Sequence, residues 1–451
     1  MSWMEYPSMR YNILILLTIT LPIISTFNLT AHAGSAYPMI VVDDFGRSVT
    51  INSPPNRIVS TAPSNTEILF ALGLGEKVVG VTKYCDWPPL VLDRVKEGKI
   101  TVIGGYADPS LEGVVSLKPD LVVAATNLQL NFISALQNRG VTVIGLNPKN
   151  IVEVFNNLRL IGTICNKTDE ANRLVESLQR RYDYVLERTG KASSRPKVYY
   201  ELWYDPLMSF GGNTVVDDLI QKAGGQNIFH DSPAPYPIIG AEMVIQKNPD
   251  IIIVPIGYMG GVSKSDFEKR PGWSMIEAVK KNRIYTLNEN TLIRPGPRLF
   301  NGLENLASVI HPELFTGTIN YNSSISITTN STVFAIIYDD SKRLLNFTII
   351  GVEGAVASVN VLIEKGLLRG RPVVLIDGVE AGASVSEDQN KFTVRFNTST
   401  SRREVVIGGS EDIPEFNIPY TILPIIILIT FSIMRFKSSR IQQRRYNRTF
   451  S

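Results

Sequence analysis

The chain has 451 residues, 44% of them hydrophobic and 19% charged, with a formal net charge of +3. That length holds two or three domains, and the composition suits a folded protein rather than a mainly disordered one. Much of the positive excess sits in one short tail, which leaves no broad nucleic-acid footprint, while three His and two Cys exclude a disulfide-dense scaffold and leave little scope for a His/Cys metal centre.

Residues 1–33 read as a secretory signal. Arg10 makes the start positive, Ile13 to Phe27 is largely apolar and uncharged, and Ala31-His32-Ala33 offers small residues for cleavage before Gly34. Residues 34–56 form an N-terminal extension. Arg57 to Thr61 is expected as a strand, followed by Ser64-Asn-Thr-Glu67 as a capping box for a helix ending near Gly73.

An internal repeat comes next. The run Ser110 to Ala124 resembles the run Gly240 to Val254 at an offset of 130 residues. Glu112 matches Glu242, and Pro119-Asp120 matches Pro249-Asp250. An aromatic residue, Tyr106 or Tyr236, stands six residues before each glutamate. The pattern predicts a short helix beginning near the glutamate, where a carboxylate complements the helix N-terminus. Pro119 and Pro249 end that helix. The apolar runs Leu121 to Val123 and Ile251 to Val254 then suit strands buried on both faces of a parallel sheet. Further helix and strand follow in each copy, Phe132 to Asn138 before Val141 to Ile144, and Met275 to Lys280 before Ile284 to Leu287. Two related α/β lobes are the simplest account, 57–166 and 191–313.

Between them, Thr168 to Arg188 reads as one long helix. Thr168 caps it, Asp169 and Glu170 fill its first turn, and Ala171, Leu174, Val175, Leu178, Tyr182, Val185 and Leu186 recur at spacings of three and four. This segment, 167–190, is a stiff inter-lobe connection. The second lobe opens with a strand at Lys197 to Leu202, and Gly211-Gly212-Asn213 precedes a helix from about Val215 to Ala223.

After His311-Pro312 the composition turns to short runs rich in Ser, Thr, Val and Ile. Val374-Leu-Ile376 with Asp377-Gly378, then Phe392 to Phe396 with period two, predict a small β-sandwich over 318–410. Glu411 to Asn417 reads as a tether. Residues 416–434 carry no charge and are just long enough to cross a hydrocarbon core of about 30 Å. Six bases from Arg435 to Arg448 follow, which the positive-inside rule places in the cytoplasm as a tail, 435–451. Everything between the signal and this span is then outside. The triplets at Asn166, Asn322, Asn330, Asn346 and Asn397 are candidate glycosylation acceptors. Cys85 and Cys165 either pair or stay free.

The segment from Arg57 to His311 resembles the substrate-binding proteins of ABC importers for vitamin B12 and ferric siderophores. The likeness rests on Ala62-Pro-Ser-Asn-Thr-Glu67 with Leu72-Gly73, on Val79-Gly-Val-Thr-Lys-Tyr-Cys-Asp-Trp-Pro-Pro89, on Leu117-Lys-Pro-Asp-Leu-Val122, and on Ala223-Gly-Gly-Gln-Asn-Ile-Phe229. The Tyr-Cys-Asp-Trp-Pro element is most similar to the cobalamin branch. The resemblance implies two Rossmann-like lobes joined by one rigid helix, ligand capture between them, and delivery to a membrane permease dimer with its ATPase. It implies that Glu112 and Glu242 pair with permease arginines. Two equivalent carboxylates also suit a two-fold symmetric partner. Aromatic residues line the ligand site of the cobalamin branch, which by position implies Tyr84, Trp87, Tyr106 and Tyr236, with Trp203 or Tyr204. Family members often carry Trp where this chain has Tyr106 and Tyr236. Arg294 and Arg298 fall on a loop implied to meet propionamides, phosphate or an anionic siderophore.

The expected architecture is therefore α/β, two lobes plus an all-β sandwich and a C-terminal transmembrane helix. The expected function is a membrane-anchored extracellular receptor for a corrinoid, with a ferric siderophore or haem as the close alternative. No resident cofactor, metal, catalytic residue or nucleic-acid partner is expected. A zinc or manganese receptor would need more histidines than His230 and His311. A hydrolase built on Glu112 and Glu242 is disfavoured, because acid and base normally need different environments. A surface-layer or adhesion protein remains the third class, suggested by the β-module.

Overall fold

The computed structural model describes residues 37–255, 264–321, 323–351, 355–399 and 402–413. The signal, the segment 416–434 and the basic tail lie outside the described residues. Two compact units divide the chain. Residues up to Glu176 with Pro295–Pro297 form the first; Ser177–Arg294 and the chain from Arg298 form the second.

The first unit opens with an antiparallel hairpin, β1 (Met39–Val42) and β2 (Ser48–Ile51). Its turn is built on the buried Asp43 carboxylate, which accepts the backbone N–H groups of Phe45, Arg47 and Gly145 and is paired with the Arg47 guanidinium. A parallel sheet follows, made of β3 (Ile58–Ser60), β4 (Val78–Val81), β5 (Thr101–Val102), β6 (Leu121–Ala125) and β7 (Val143–Leu146) in the order β5-β4-β3-β6-β7. The helices α1 (Pro63–Ala71), α2 (Leu90–Lys96), α3 (Leu111–Ser116), α4 (Leu130–Gln137) and α5 (Ile151–Ile164) connect and extend it. Every residue of β6 is buried, as its unbroken apolar run predicts.

The capping box expected at Ser64 does not form. Ala62 is the N-cap of α1, without a side-chain bond, and Pro63 occupies the first helical position. This end of α1 is packed against the sheet, so its polar side chains serve the sheet instead. Asn65 Nδ2 donates to the carbonyls of Val123 and Ala124, and Thr66 Oγ1 donates to Ser60 Oγ.

The long helix α6 (Thr168–Thr189) is continuous over 22 residues, with Asp169 and Glu170 in its first turn. In the second unit, β8 (Lys197–Tyr200) leads into a two-stranded ribbon, β9 (Trp203–Tyr204) and β10 (Leu207–Met208). With β11 (Gln226–Asn227), β12 (Ile251–Pro255) and β13 (Ile284–Leu287), β8 forms a parallel sheet of order β11-β8-β12-β13. Its helices are α7 (Val215–Lys222), α8 (Ala241–Lys247), α9 (Lys264–Lys269), α10 (Glu277–Lys280) and α11 (Leu299–Ile310). The start of α7 is set by Thr214, whose Oγ1 accepts the N–H of Asp217.

The repeat has a physical basis. Ile58 pairs with Leu121 in the first sheet, and Val198 pairs with Ile251 in the second. The two matched aspartates pin the starts of the matched strands. Asp120 accepts from the N–H groups of Asn56 and Arg57, and Asp250 accepts from that of Lys197.

The β-rich region is a sandwich of two antiparallel five-stranded sheets. It comprises β14 (Gly317–Asn320), β15 (Ile325–Thr329), β16 (Thr332–Asp339), β17 (Leu344–Ile350), β18 (Val356–Glu364), β19 (Pro372–Ile376), β20 (Val379–Glu380), β21 (Ser384–Glu387), β22 (Lys391–Ser399) and β23 (Arg403–Gly409). The sheet orders are β14-β15-β18-β22-β21 and β16-β17-β23-β19-β20. Alternate residues of β18 and β22 turn inward, so Val361 and Val394 meet Phe347 and Ile407 in one core.

The sandwich belongs to the same compact unit as the second lobe. Glu304 of α11, 1% exposed, accepts two bonds from Arg181 of α6 at 2.8 and 2.6 Å and one from Arg402 at 2.7 Å. Burial by itself pushes the Glu304 carboxyl up, but the two arginines outweigh it and hold it below the usual carboxylate range. Beside this triad, the Tyr184 hydroxyl donates to the Val333 carbonyl, and its ring meets Phe315 and Phe334 at 6.5 and 6.2 Å. Of the tether expected over Glu411 to Asn417, the described residues reach 413. Asp412 accepts the N–H of Arg369, so this stretch closes the sandwich. No helix of the described residues is long and apolar enough to cross a membrane.

Candidate functional site

In both lobes the singled-out side chains lie just past the C-terminal ends of parallel strands, where ligands of open α/β sheets bind. In the first lobe, Tyr84 and Trp87 follow β4, and Tyr106 follows β5. The N–H of Lys83 donates to the Gly104 carbonyl and ties the two loops together. Tyr84 is 51% and Trp87 43% exposed. Between them Cys85 points inward, its Sγ against Thr66 and Thr82. The Tyr-Cys-Asp-Trp run is thus anchored by its thiol and presents its rings outward. Tyr106 is half-buried. Its hydroxyl donates to Thr126 Oγ1 at 3.2 Å, and its carbonyl accepts from Gln129 Nε2 at 2.7 Å. Gln129, fully buried after β6, also donates to Thr61 O, so one amide braces three loops of this edge.

In the second lobe, Trp203 and Tyr204 follow β8. Trp203 Nε1 donates to Asp205 O, which leaves its ring half-buried, while Tyr204 is 47% exposed. Tyr236 lies on an extended run that bonds to residues 207–211: Ser209 N–H donates to Pro237 O and Gly211 N–H to Pro235 O. Its ring packs edge-on to Phe210 at 5.8 Å, and Phe210 packs likewise on Tyr200 at 5.1 Å. Burial pushes the Tyr236 phenol up, although the residue still exposes 53% of its surface. Arg294 and Arg298 follow β13 and are both half-buried, Arg298 as the N-cap of α11.

Glu112 and Glu242 are exposed and occupy the first turns of α3 and α8. Each therefore stands at the same end of its lobe as the tyrosine six residues before it.

Several residues of these edges escaped the sequence reading. Arg270 clasps the buried Glu201 through two bonds of 2.6 and 2.8 Å, and its guanidinium lies 4.5 Å from the Tyr204 ring centroid and 4.6 Å from that of Trp273. It backs Tyr204 as a stacked cation. Leu128 and Ile238 are 69% and 70% exposed beside Gln129 and Tyr236. The alternation of Pro235-Tyr-Pro-Ile238 was the available signal for Ile238; Arg270 had none, because its partner is 69 residues away.

Cys85 and Cys165 are both buried thiols that are not joined in a disulfide, and burial pushes the Cys165 thiol up to about 12. His230 is engaged by Asp217, and His311 by Glu313 and the Gly224 carbonyl. Among the described residues no group of three or more His, Cys, Asp or Glu is arranged to hold a metal ion.

Two parallel-sheet lobes with an internal repeat, a long helix between them and aromatic strand ends define the α/β class of solute-binding proteins. The family model described as periplasmic binding protein matches residues 58–291, and the chain belongs to that family. Its members are non-enzymatic substrate-binding components of transport systems. The chain is 34% identical over 286 residues to an uncharacterized ABC transporter substrate-binding lipoprotein of Bacillus subtilis, covering 62% of this chain and 87% of that one. It is 27% identical over 265 residues to a vitamin B12-binding protein of Vibrio cholerae, covering 57% and 90%. Among solved structures, a periplasmic haem-binding protein of Roseiflexus in its apo form is similar with a TM-score of 0.51 at 27% identity, covering 57% of this chain and 99% of that one.

Proposed function

We propose that this protein is an extracellular, membrane-anchored receptor that captures a corrinoid of the cobalamin type and delivers it to an ABC permease. The observation that carries the reading is the repeated pair of an accessible tyrosine and an exposed glutamate at the strand ends of each lobe, Tyr106 with Glu112 and Tyr236 with Glu242. The aromatic edges suit a large macrocycle, because flat rigid side chains bury much area at low entropic cost. Tyr84, Trp87, Trp203 and Tyr204 add to them, and the glutamates face the permease arginines. The vitamin B12-binding relative supports this ligand class. The haem-binding neighbour supports the second reading, a haem or ferric-siderophore receptor using Arg294 and Arg298 for an anionic ligand.

The lipoprotein name of the B. subtilis relative supports anchoring outside the membrane. Here both cysteines are buried in the first lobe, so we assign the anchor to the apolar span 416–434, with 435–451 in the cytoplasm and a signal cleaved near Ala33. Glycosylation at the sequons belongs to the same reading.

Calorimetric titration of residues 34–413 with cobalamin, cobinamide and a ferric siderophore tests the ligand. Saturable corrinoid binding is expected; siderophore binding alone moves the site to Arg294 and Arg298, and silence with all three sinks the corrinoid reading. Reversing both Glu112 and Glu242 to Lys tests docking. Uptake should vanish while binding stays, and a loss of binding would show that the glutamates belong to the ligand site.

A further inference from the structure

A concavity of about 590 Å³ opens in the second lobe at the end of the sheet opposite the aromatic edge. Lys197 begins β8 here and Gln226 begins β11, whereas Trp203, Tyr204 and Tyr236 lie past the strand C-termini. Three cations line it: Arg195, Lys197 and Lys247. None of the three forms an ion pair with a carboxylate among the described residues. Asp231 is the one carboxylate among the lining residues.

The cations are held in place by the fold rather than neutralised. Arg195 Nη2 donates to the carbonyls of Gln221 and Gly225 at the end of α7, at 2.5 and 3.3 Å. Lys197 Nζ makes a long 3.4 Å bond to the Lys247 carbonyl, and Lys247 Nζ lies 5.6 Å from the Phe229 ring centroid. His230 also lines the concavity, its Nδ1 fixed by the nearly buried Asp217 carboxylate at 2.9 Å. That same carboxylate accepts from Gln221 and from the buried Asn227.

The repeat supplies one of these three cations, and the second lobe adds the other two. Arg57 of the first lobe holds the position of Lys197, and its Nε and Nη2 donate to the Leu117 carbonyl, at 3.1 and 2.7 Å, which matches the Lys247 carbonyl in the repeat. Its charge closes a helix end. In the second lobe Lys197 makes the matching bond at a longer distance, and Arg195 and Lys247 stand where the first lobe has Pro55 and Leu117.

We propose that this concavity is a second binding site, specific for a small multivalent oxyanion bearing phosphate groups. Guanidinium and ammonium groups converging on one space recognise such anions, and the volume lies within the range of small-ligand sites, about 300–1,000 Å³. The free anion and a phospholipid headgroup share this chemistry. The proposal is independent of the corrinoid reading, since it uses no residue of the aromatic edges.

The test is titration of the full chain with sodium pyrophosphate at low ionic strength, for the native protein and for the K197Q/K247Q and R195Q variants. Saturable binding is expected, weakened about tenfold or more in either variant, with the response to cobalamin unchanged. The single variant K247Q, with a solvent-accessible side chain, serves if the double variant does not fold. A second arm uses phosphatidylglycerol vesicles against phosphatidylcholine vesicles. Vesicle binding that pyrophosphate displaces and K247Q weakens assigns the headgroup as the source. Absence of saturable pyrophosphate and vesicle binding overturns the site, as does binding that all three variants leave undiminished.

Discussion

The two lobes carry the same tyrosine and glutamate at matched positions, yet they support them by different means. Tyr106 is braced by a polar network, with Thr126 at its hydroxyl and the buried Gln129 at its carbonyl. Tyr236 is braced by rings, Phe210 and behind it Tyr200. The first lobe ends at the long helix. The second is locked to a β-sandwich through the Arg181–Glu304–Arg402 triad. A repeat thus fixes where a side chain stands, while the neighbours that hold it there are free to differ.

The largest expected effect separates the lobes by their attachments. Glu304→Leu leaves two arginines facing each other in a buried site, and it should cost about 3–5 kcal/mol of stability in the second unit. Scanning calorimetry resolves this as a lowered transition of that unit; an unchanged melt would show that the triad does not fasten the sandwich. Glu304 also sets a pH dependence. Its folded pKa lies below the ordinary value of 4.5, so its contribution is complete above 4.5 and is lost as pH falls through the folded pKa. In Glu304→Leu the acid-side loss of stability should shrink. Deletion of 318–410 strips Phe334 from Phe315 and Tyr184 and should lower the same transition. Survival of both melting and ligand affinity would reduce the sandwich to a spacer.

Next in size is the platform under Tyr204. Arg270→Ala leaves the buried Glu201 carboxylate unpaired, with an expected loss of about 3 kcal/mol and weaker ligand binding. Arg270→Lys keeps the charge but not the planar stack, and it should recover stability only in part. Full recovery by lysine would mean that stacking on Tyr204 is idle.

The two tyrosines sharpen the comparison directly. Tyr106→Ala and Tyr236→Ala should each weaken corrinoid binding about tenfold by calorimetry. Phenylalanine at position 236 should be nearly neutral, because rings hold that site. At position 106 it should cost more, because the Thr126 contact is lost. Equal effects of the two Phe variants would contradict the difference in support. The smallest effect is expected at the strand anchors. Asp120→Asn removes a charged acceptor from two backbone N–H groups and Asp250→Asn from one. Melting should fall by about 2–4 °C for the first and less for the second.

Much of this molecule was legible in its sequence. The unbroken apolar runs of β6 and β12 required burial on both faces, and the run of three- and four-residue spacings specified α6 almost to the residue. The repeat alone singled out Tyr106, Glu112, Tyr236 and Glu242. The failures are local signals overruled by distant partners. Ser64 and Glu67 spell a capping box, but Asn65 and Thr66 beside them bond to β6 and β3 and Ala62 becomes the cap.

The sequence by itself determined the periodicities, the two-lobed repeat, the alternating β-module and the placing of one aromatic and one carboxylate per lobe. Such features depend on spacing along the chain. Only the tertiary structure decided what stands behind each of them. It joined Glu201 to Arg270 across 69 residues, Glu304 to Arg181 across 123 and to Arg402 across 98, and it gathered Arg195, Lys197 and Lys247 around one concavity. Ion pairs and concavities depend on distance through space, and desolvation makes a buried charge take whatever partner the fold brings near.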